Sequence, residues 1–78
     1  MHTPPPITIR FVSDTDEFIM RDGPTAASDY FTPDALDAWD TACYVARRRG
    51  TPIEEIQIRK SAANKIRRAI AGRQVLGA

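Results

Sequence analysis

Large apolar side chains are scarce in this chain, and the scarcity limits it to one small domain. Of the 78 residues, 33 are apolar or aromatic, but 11 of these are alanine, so 22 larger side chains remain to fill a core. A domain of this size is marginally stable unless ideal packing, a metal, disulfides or a partner helps. Cys43 and His2 are each single, which excludes an internal disulfide and a tetrahedral Cys/His metal site. A binding partner is therefore the expected additional source of stability.

The N-terminal third predicts a β-hairpin. Residues 7–11 alternate between apolar and polar side chains, and the apolar ones are β-branched or aromatic, as in a half-buried strand that Val12 extends. Residues 13–16 are short and polar, which favours a turn. Residues 17–21 follow as a second strand, on which Phe18 and Met20 would share a face with the apolar residues of the first.

The best-specified element is an amphipathic helix over residues 33–49, which follows a turn and loop at 22–31. Thr32 is its candidate N-cap and Pro33 suits the first helical position. The three arginines 47–49 stand at the negative end of the helix dipole, just before a glycine.

One half of this helix is apolar, and it is expected to pack on the hairpin through Trp39, Leu36 and Cys43. Trp39 lies in the middle of the apolar half and is predicted to be the largest contributor to the core. Cys43 is interpreted as a small buried apolar residue rather than a reactive thiol. On the polar half, Tyr44 falls beside Asp37 and Asp40, where an aromatic ring is either a contact residue or folded over its neighbours.

Two local signals disagree in the C-terminal segment. Thr51, Pro52 and Glu54 together resemble a capped helix start, whereas residues 56–58 have the period of a strand. Residues 62–72 form a clean amphipathic helix that a glycine would close. In a single helix from residue 52, the apolar side chains of the first and second halves would fall on different sides, so one packed face could not bury both sets. We therefore divide the segment into short helices at 52–59 and 62–72, with Ser61 as a candidate N-cap. A strand at 55–59 is the alternative.

Taken together, these patterns predict an α+β fold. An N-terminal β-hairpin packs on one amphipathic helix, followed by one or two short C-terminal helices. The two short helices joined at Lys60 and Ser61 would resemble a helix-turn-helix with 62–72 as recognition helix. The turn lacks glycine, and Gln57 stands near where a small residue usually lets the helices cross. We expect a single domain at 7–72 between a disordered tail at 1–6 and a C-terminal tail at 73–78.

Several functional classes are disfavoured by what the sequence lacks. No apolar run is long enough to cross a membrane and no export signal is visible, so we expect a cytoplasmic protein without a membrane partner. One histidine in a proline-rich N-terminal segment is a poor basis for nucleophilic catalysis. The acids at residues 14–17 lack the pattern of a calcium loop, and the glycines are too scattered to hold phosphate. We predict no enzymatic activity, no cofactor, no metal and no small-molecule substrate.

Charge is the feature that points to a partner. Residues 1–40 carry a net charge of −6 and residues 41–78 carry +7. The segment from Arg59 onward has six bases and no acid, a pattern that attracts a phosphate backbone, and asparagine or arginine can also read base edges from a helix. We therefore predict a nucleic-acid-binding accessory or regulatory protein. The candidate contacts are Arg59, Lys60, Asn64, Lys65, Arg67, Arg68 and Arg73.

A protein–protein interface is the alternative. The acidic helix face is complementary to the basic segment, either within one chain or head to tail between chains, and this would give a homo-oligomer or a complex with another protein. The candidate interface residues are Tyr44, Asp37 and Asp40. A basic surface without any partner is the remaining interpretation.

Overall fold

In the computed structural model, which describes residues 5–24 and 26–76, a four-stranded mixed sheet packs against two helices. In chain order the elements are β1 (Ile7–Val12), β2 (Glu17–Asp22), β3 (Tyr30–Thr32), α1 (Ala35–Arg49), β4 (Gln57–Ile58) and α2 (Lys60–Leu76). The spatial strand order is β3-β2-β1-β4, with β4 parallel to β1 and the other neighbours antiparallel. The predicted α+β fold with a hairpin and helices is confirmed.

The hairpin has the predicted shared face. Ile9 pairs with Met20 and Phe11 with Phe18, and the two phenylalanine rings meet edge to face with their centroids 4.9 Å apart. The polar turn between the strands ends at Asp16, whose φ of 58° is a left-handed conformation that aspartate tolerates. Alternating side chains and local turn residues are sufficient to specify this unit.

The connection into α1 differs from the prediction. Residues 30–32 form β3 rather than loop, because they pair with β2. A strand of this length is too short to show a sequence period of its own. Thr32 is thereby buried in the sheet, and the N-cap is Asp34, whose carboxylate accepts from two amides of the first turn at 2.9 and 3.3 Å. The cap at Thr32 and the helical start at Pro33 are wrong by two residues. The end is as predicted, with Gly50 in the left-handed region at φ 73°.

Alanines, rather than the tryptophan, form the centre of the packed face of α1. Ala38, Ala42 and Ala46 are fully buried at helical spacing, whereas Trp39 is only partly buried at the margin of the core. Trp39 thus packs against the core from its margin, and whether it makes the largest contribution stays a prediction. A stripe of small side chains favours close approach of the helix to its neighbours, which leaves the large indole at the edge of the contact.

The C-terminal segment follows the alternative interpretation. The predicted helix 52–59 is reduced to one 3₁₀ turn at Ile53–Glu55 without a side-chain cap, and β4 occupies residues 57–58. Ile58 pairs with Ile9 of β1 and packs against the core. Because a strand stands where the first helix was expected, the helix-turn-helix arrangement is wrong.

Helix α2 is longer at both ends than predicted and docks on the core. It begins at Lys60, runs past Gly72 to Leu76, and buries Ala62 and Ile66 completely. The hydroxyl of Ser61 accepts a hydrogen bond from the amide of Phe11 at 3.0 Å, which ties the first turn of α2 to β1. Residues 73–76, predicted as tail, thus belong to the helix, whereas residues 1–4 and 77–78 of the predicted tails lie outside the described residues.

Candidate nucleic-acid interface

The fold divides the seven predicted nucleic-acid contacts into four groups. The first is the basic stripe, which consists of Lys60, Asn64, Arg67 and Arg68 on the solvent side of α2. At 3.6 residues per turn these four fall within an arc of about 100°, roughly opposite the buried Ala62 and Ile66. All four stripe residues are exposed, and within residues 5–24 and 26–76 none of its cations has a carboxylate partner.

Arg73 is held away from the stripe by an ion pair. Its guanidinium donates to both carboxylate oxygens of Asp40 on α1, at 3.0 and 2.8 Å. This hydrogen bonding to Arg73 lowers the pKa of Asp40 and correspondingly raises the pKa of Arg73. The contact is the acid-to-base pairing within one chain that the charge pattern allowed, and it removes Arg73 from the free basic surface.

Lys65 lies on the hairpin side of α2 rather than on the stripe. Its ammonium nitrogen is 4.6 Å from the centre of the Phe11 ring, within the range of a cation–π contact. Such a contact engages the lysine with the hairpin, although the side chain remains exposed.

Arg59 lies between β4 and α2 rather than on the helix. Its amide donates to the carbonyl of Ile9 at 2.8 Å, next to the parallel pair of Ile58 and Ile9. Arg10 follows Ile9 and Arg59 follows Ile58, so the two arginines come directly after this pair on adjacent segments. Sequence reasoning missed Arg10, because the two-residue strand that brings these residues together has no detectable period of its own.

The residues predicted as a protein interface are mostly engaged within the chain. Asp37 accepts a hydrogen bond from the Tyr30 hydroxyl at 2.6 Å, and this bond to an anion raises the pKa of the tyrosine. Asp40 is paired with Arg73 as described. Tyr44 remains 56% exposed and accepts from Arg48 at 3.1 Å, with the guanidinium carbon 5.8 Å from its ring centre. The acids needed for the alternative therefore have partners already, whereas the tyrosine ring remains accessible.

A cleft of about 580 Å³ lies between Pro5–Pro6 and residues 49–57. The guanidinium of Arg49 on its wall already binds Asp22 and the carbonyl of Pro5, and the remaining charged side chains there are Glu54 and Glu55. The lining includes the Thr51 hydroxyl and no histidine, cysteine or lysine.

Other sites of chemistry are not evident in the described part of the chain. Cys43 is a buried free thiol, and desolvation raises its pKa, which keeps it protonated and unreactive. Over residues 5–24 and 26–76, no three His, Cys, Asp or Glu side chains are grouped to hold a metal ion. No helix among these residues combines the length and apolar character needed to span a membrane.

Comparison with known proteins does not assign the chain to a family: no family model, curated protein or solved structure gives a significant match.

Proposed function

We propose that this chain is a small nucleic-acid-binding accessory or regulatory protein that contacts duplex phosphates through the basic stripe. The observation that carries the proposal is the arrangement of Lys60, Arg67 and Arg68 on one exposed helix face without carboxylate partners among the described residues. Unpaired cations on a rigid helix bind phosphates by direct contact and by releasing the counterions of the duplex.

The diameter of an α-helix suits a DNA groove. A helix such as α2 is about 10–12 Å across with its side chains, and the major groove of B-DNA is about 12 Å wide and admits an α-helix. Asn64 lies between the cations, and an asparagine amide makes a bidentate contact with adenine. The cations would hold the helix against the backbone while Asn64 supplies the base contact.

Duplex binding by the intact protein tests this proposal. Fluorescence anisotropy with a short labelled DNA duplex at low salt should show saturable binding that weakens strongly in the Arg67→Ala/Arg68→Ala variant. The matched control is Arg47→Ala/Arg48→Ala, which removes the same two charges from exposed positions on α1. Equal weakening by both variants would indicate a response to net charge, and an absence of wild-type binding at low salt would end the proposal.

A further inference from the structure

The sheet has a face that neither helix packs against. The core contains the side chains of Ile9, Phe18 and Met20 together with those of α1 and α2. Because side chains alternate along a strand, Ile19 projects to the opposite side and is absent from this core cluster. Ile19 is itself covered, at 6% exposure, so the accessible positions of this side are those beside it, Arg10 and Phe31. We call this second surface the open face.

One row across the open face contains an exposed aromatic ring and a cation. Arg10 of β1 pairs with Ile19 of β2, which pairs with Phe31 of β3. The Phe31 ring is 54% exposed. The row extends to Arg59, which follows β4 beside Arg10, so its order is Arg59, Arg10, Ile19 and Phe31.

The charges of this face favour an anionic ligand near β1 and β4. Arg10 and Arg59 are both exposed, and neither forms an ion pair within the described part of the chain. Asp29 is occupied by Arg21 at 2.6 and 2.9 Å, and that bonding lowers its pKa. Among the described residues Glu17 shares the face without an ion pair, and Asp29 also attracts Arg10, so two arginines stand against one unpaired acid.

We propose that the open face binds single-stranded nucleic acid, with a base stacked on Phe31 and phosphates on Arg10 and Arg59. An exposed ring stacks on a base only when that base is free of its own duplex stack, whereas guanidinium groups bind any phosphate. Neighbouring strands are about 4.8 Å apart, so Phe31 lies about 10 Å from Arg10 across the row. A single strand offers a base that can stack on the ring at one side and phosphates that can bind the two cations at the other.

This inference goes beyond duplex binding and does not depend on it. The basic stripe points away from the core on the far side of α2, whereas the open face is on the opposite side of the sheet. Separate residues therefore serve the two surfaces. Failure of one proposal leaves the other unaffected, provided that both probes are measured.

The test uses the full chain and a labelled oligothymidylate of about 12 nucleotides, with a DNA duplex as second probe. Phe31→Ala should weaken oligothymidylate binding about 5- to 150-fold, the range for loss of one stacked base. Arg10→Ala added to that variant should weaken the binding further. Tyr44→Ala is the matched control, because it removes another exposed ring, on α1, and should leave binding unchanged. Arg67→Ala/Arg68→Ala should affect the duplex probe and spare the single strand.

Two outcomes would overturn the inference. The first is no oligothymidylate binding by the wild type at low salt, and the second is equal losses for Phe31→Ala and Tyr44→Ala. If the first is accompanied by a wild-type self-association, detected by sedimentation, that Phe31→Ala abolishes, the open face is a protein interface. Circular dichroism checks that each variant is folded.

Discussion

The affinity of this protein for a DNA duplex should fall as the salt concentration rises, with a slope set by three cationic side chains. Each phosphate neutralised adds about 0.9 to the slope of log affinity against log salt concentration. Lys60, Arg67 and Arg68 are the cations of the basic stripe, without an ion pair in the described part of the chain, so the expected slope is about −2.7. A rise from about 50 to about 200 mM salt should then lower the affinity about 40-fold.

The Arg67→Ala/Arg68→Ala variant should retain one of these contacts. Its slope falls to about −0.9, and the same change in salt should cost only about threefold to fourfold in affinity. Anisotropy titrations of a labelled duplex at several salt concentrations measure both slopes directly. A wild-type slope near −5 would mean that all six bases after residue 58 bind phosphates. That result would refute the assignment of Lys65 and Arg73 to contacts within the chain.

Three further predictions concern stability. Ile66→Ala removes a fully buried side chain and should lower the free energy of unfolding by about 2–5 kcal/mol, measured by chemical denaturation, with Ile66→Val costing about 0.5–1.5 kcal/mol. Asp34→Ala leaves two amides of α1 without their acceptor and should cost about 0.5–2 kcal/mol, whereas Asp34→Asn should be tolerated; an unchanged melting temperature for the alanine variant would contradict this N-cap. Arg21 lowers the pKa of Asp29, so the pair contributes stability above the unfolded pKa of about 4 and loses it as pH falls through the lower folded value. Thermal melts across the acid range should show a shallower loss of stability for Asp29→Asn than for the wild type.

Elements with local determinants were predictable from sequence. The hairpin depends on alternating side chains and a polar turn, and the end of α1 depends on a glycine with positive φ, all of which lie within a few residues. The start of α1 was misplaced because Thr32 and Asp34 are both favourable N-caps. Thr32 pairs with Phe18 in the sheet, and Asp34 is therefore the residue that caps the helix.

In the segment before α2, the local preference for a helix is overridden by pairing with a distant strand. Thr51, Pro52 and Glu54 favour a capped helix, yet no side chain caps the short 3₁₀ turn that forms there. The backbone of residues 57–58 instead pairs with β1, and Ile58 packs against the core. Hydrogen bonds and burial supplied by a strand almost fifty residues away are absent from any local window.

For the candidate sites, the sequence by itself determined which side chains share a helix face, because helical spacing is local. It therefore placed Asn64, Arg67 and Arg68 together, whereas Lys60 joins them only because α2 begins at Lys60 and not at residue 62. Only the tertiary structure decided which bases remain free. Packing of α2 on α1 and β1 brings Asp40 to Arg73 and the Phe11 ring to Lys65, and the parallel β4 brings Arg59 to Arg10. Charge pairing and ring contact act over a few ångströms between distant segments, so they exist only once the fold has brought those segments together.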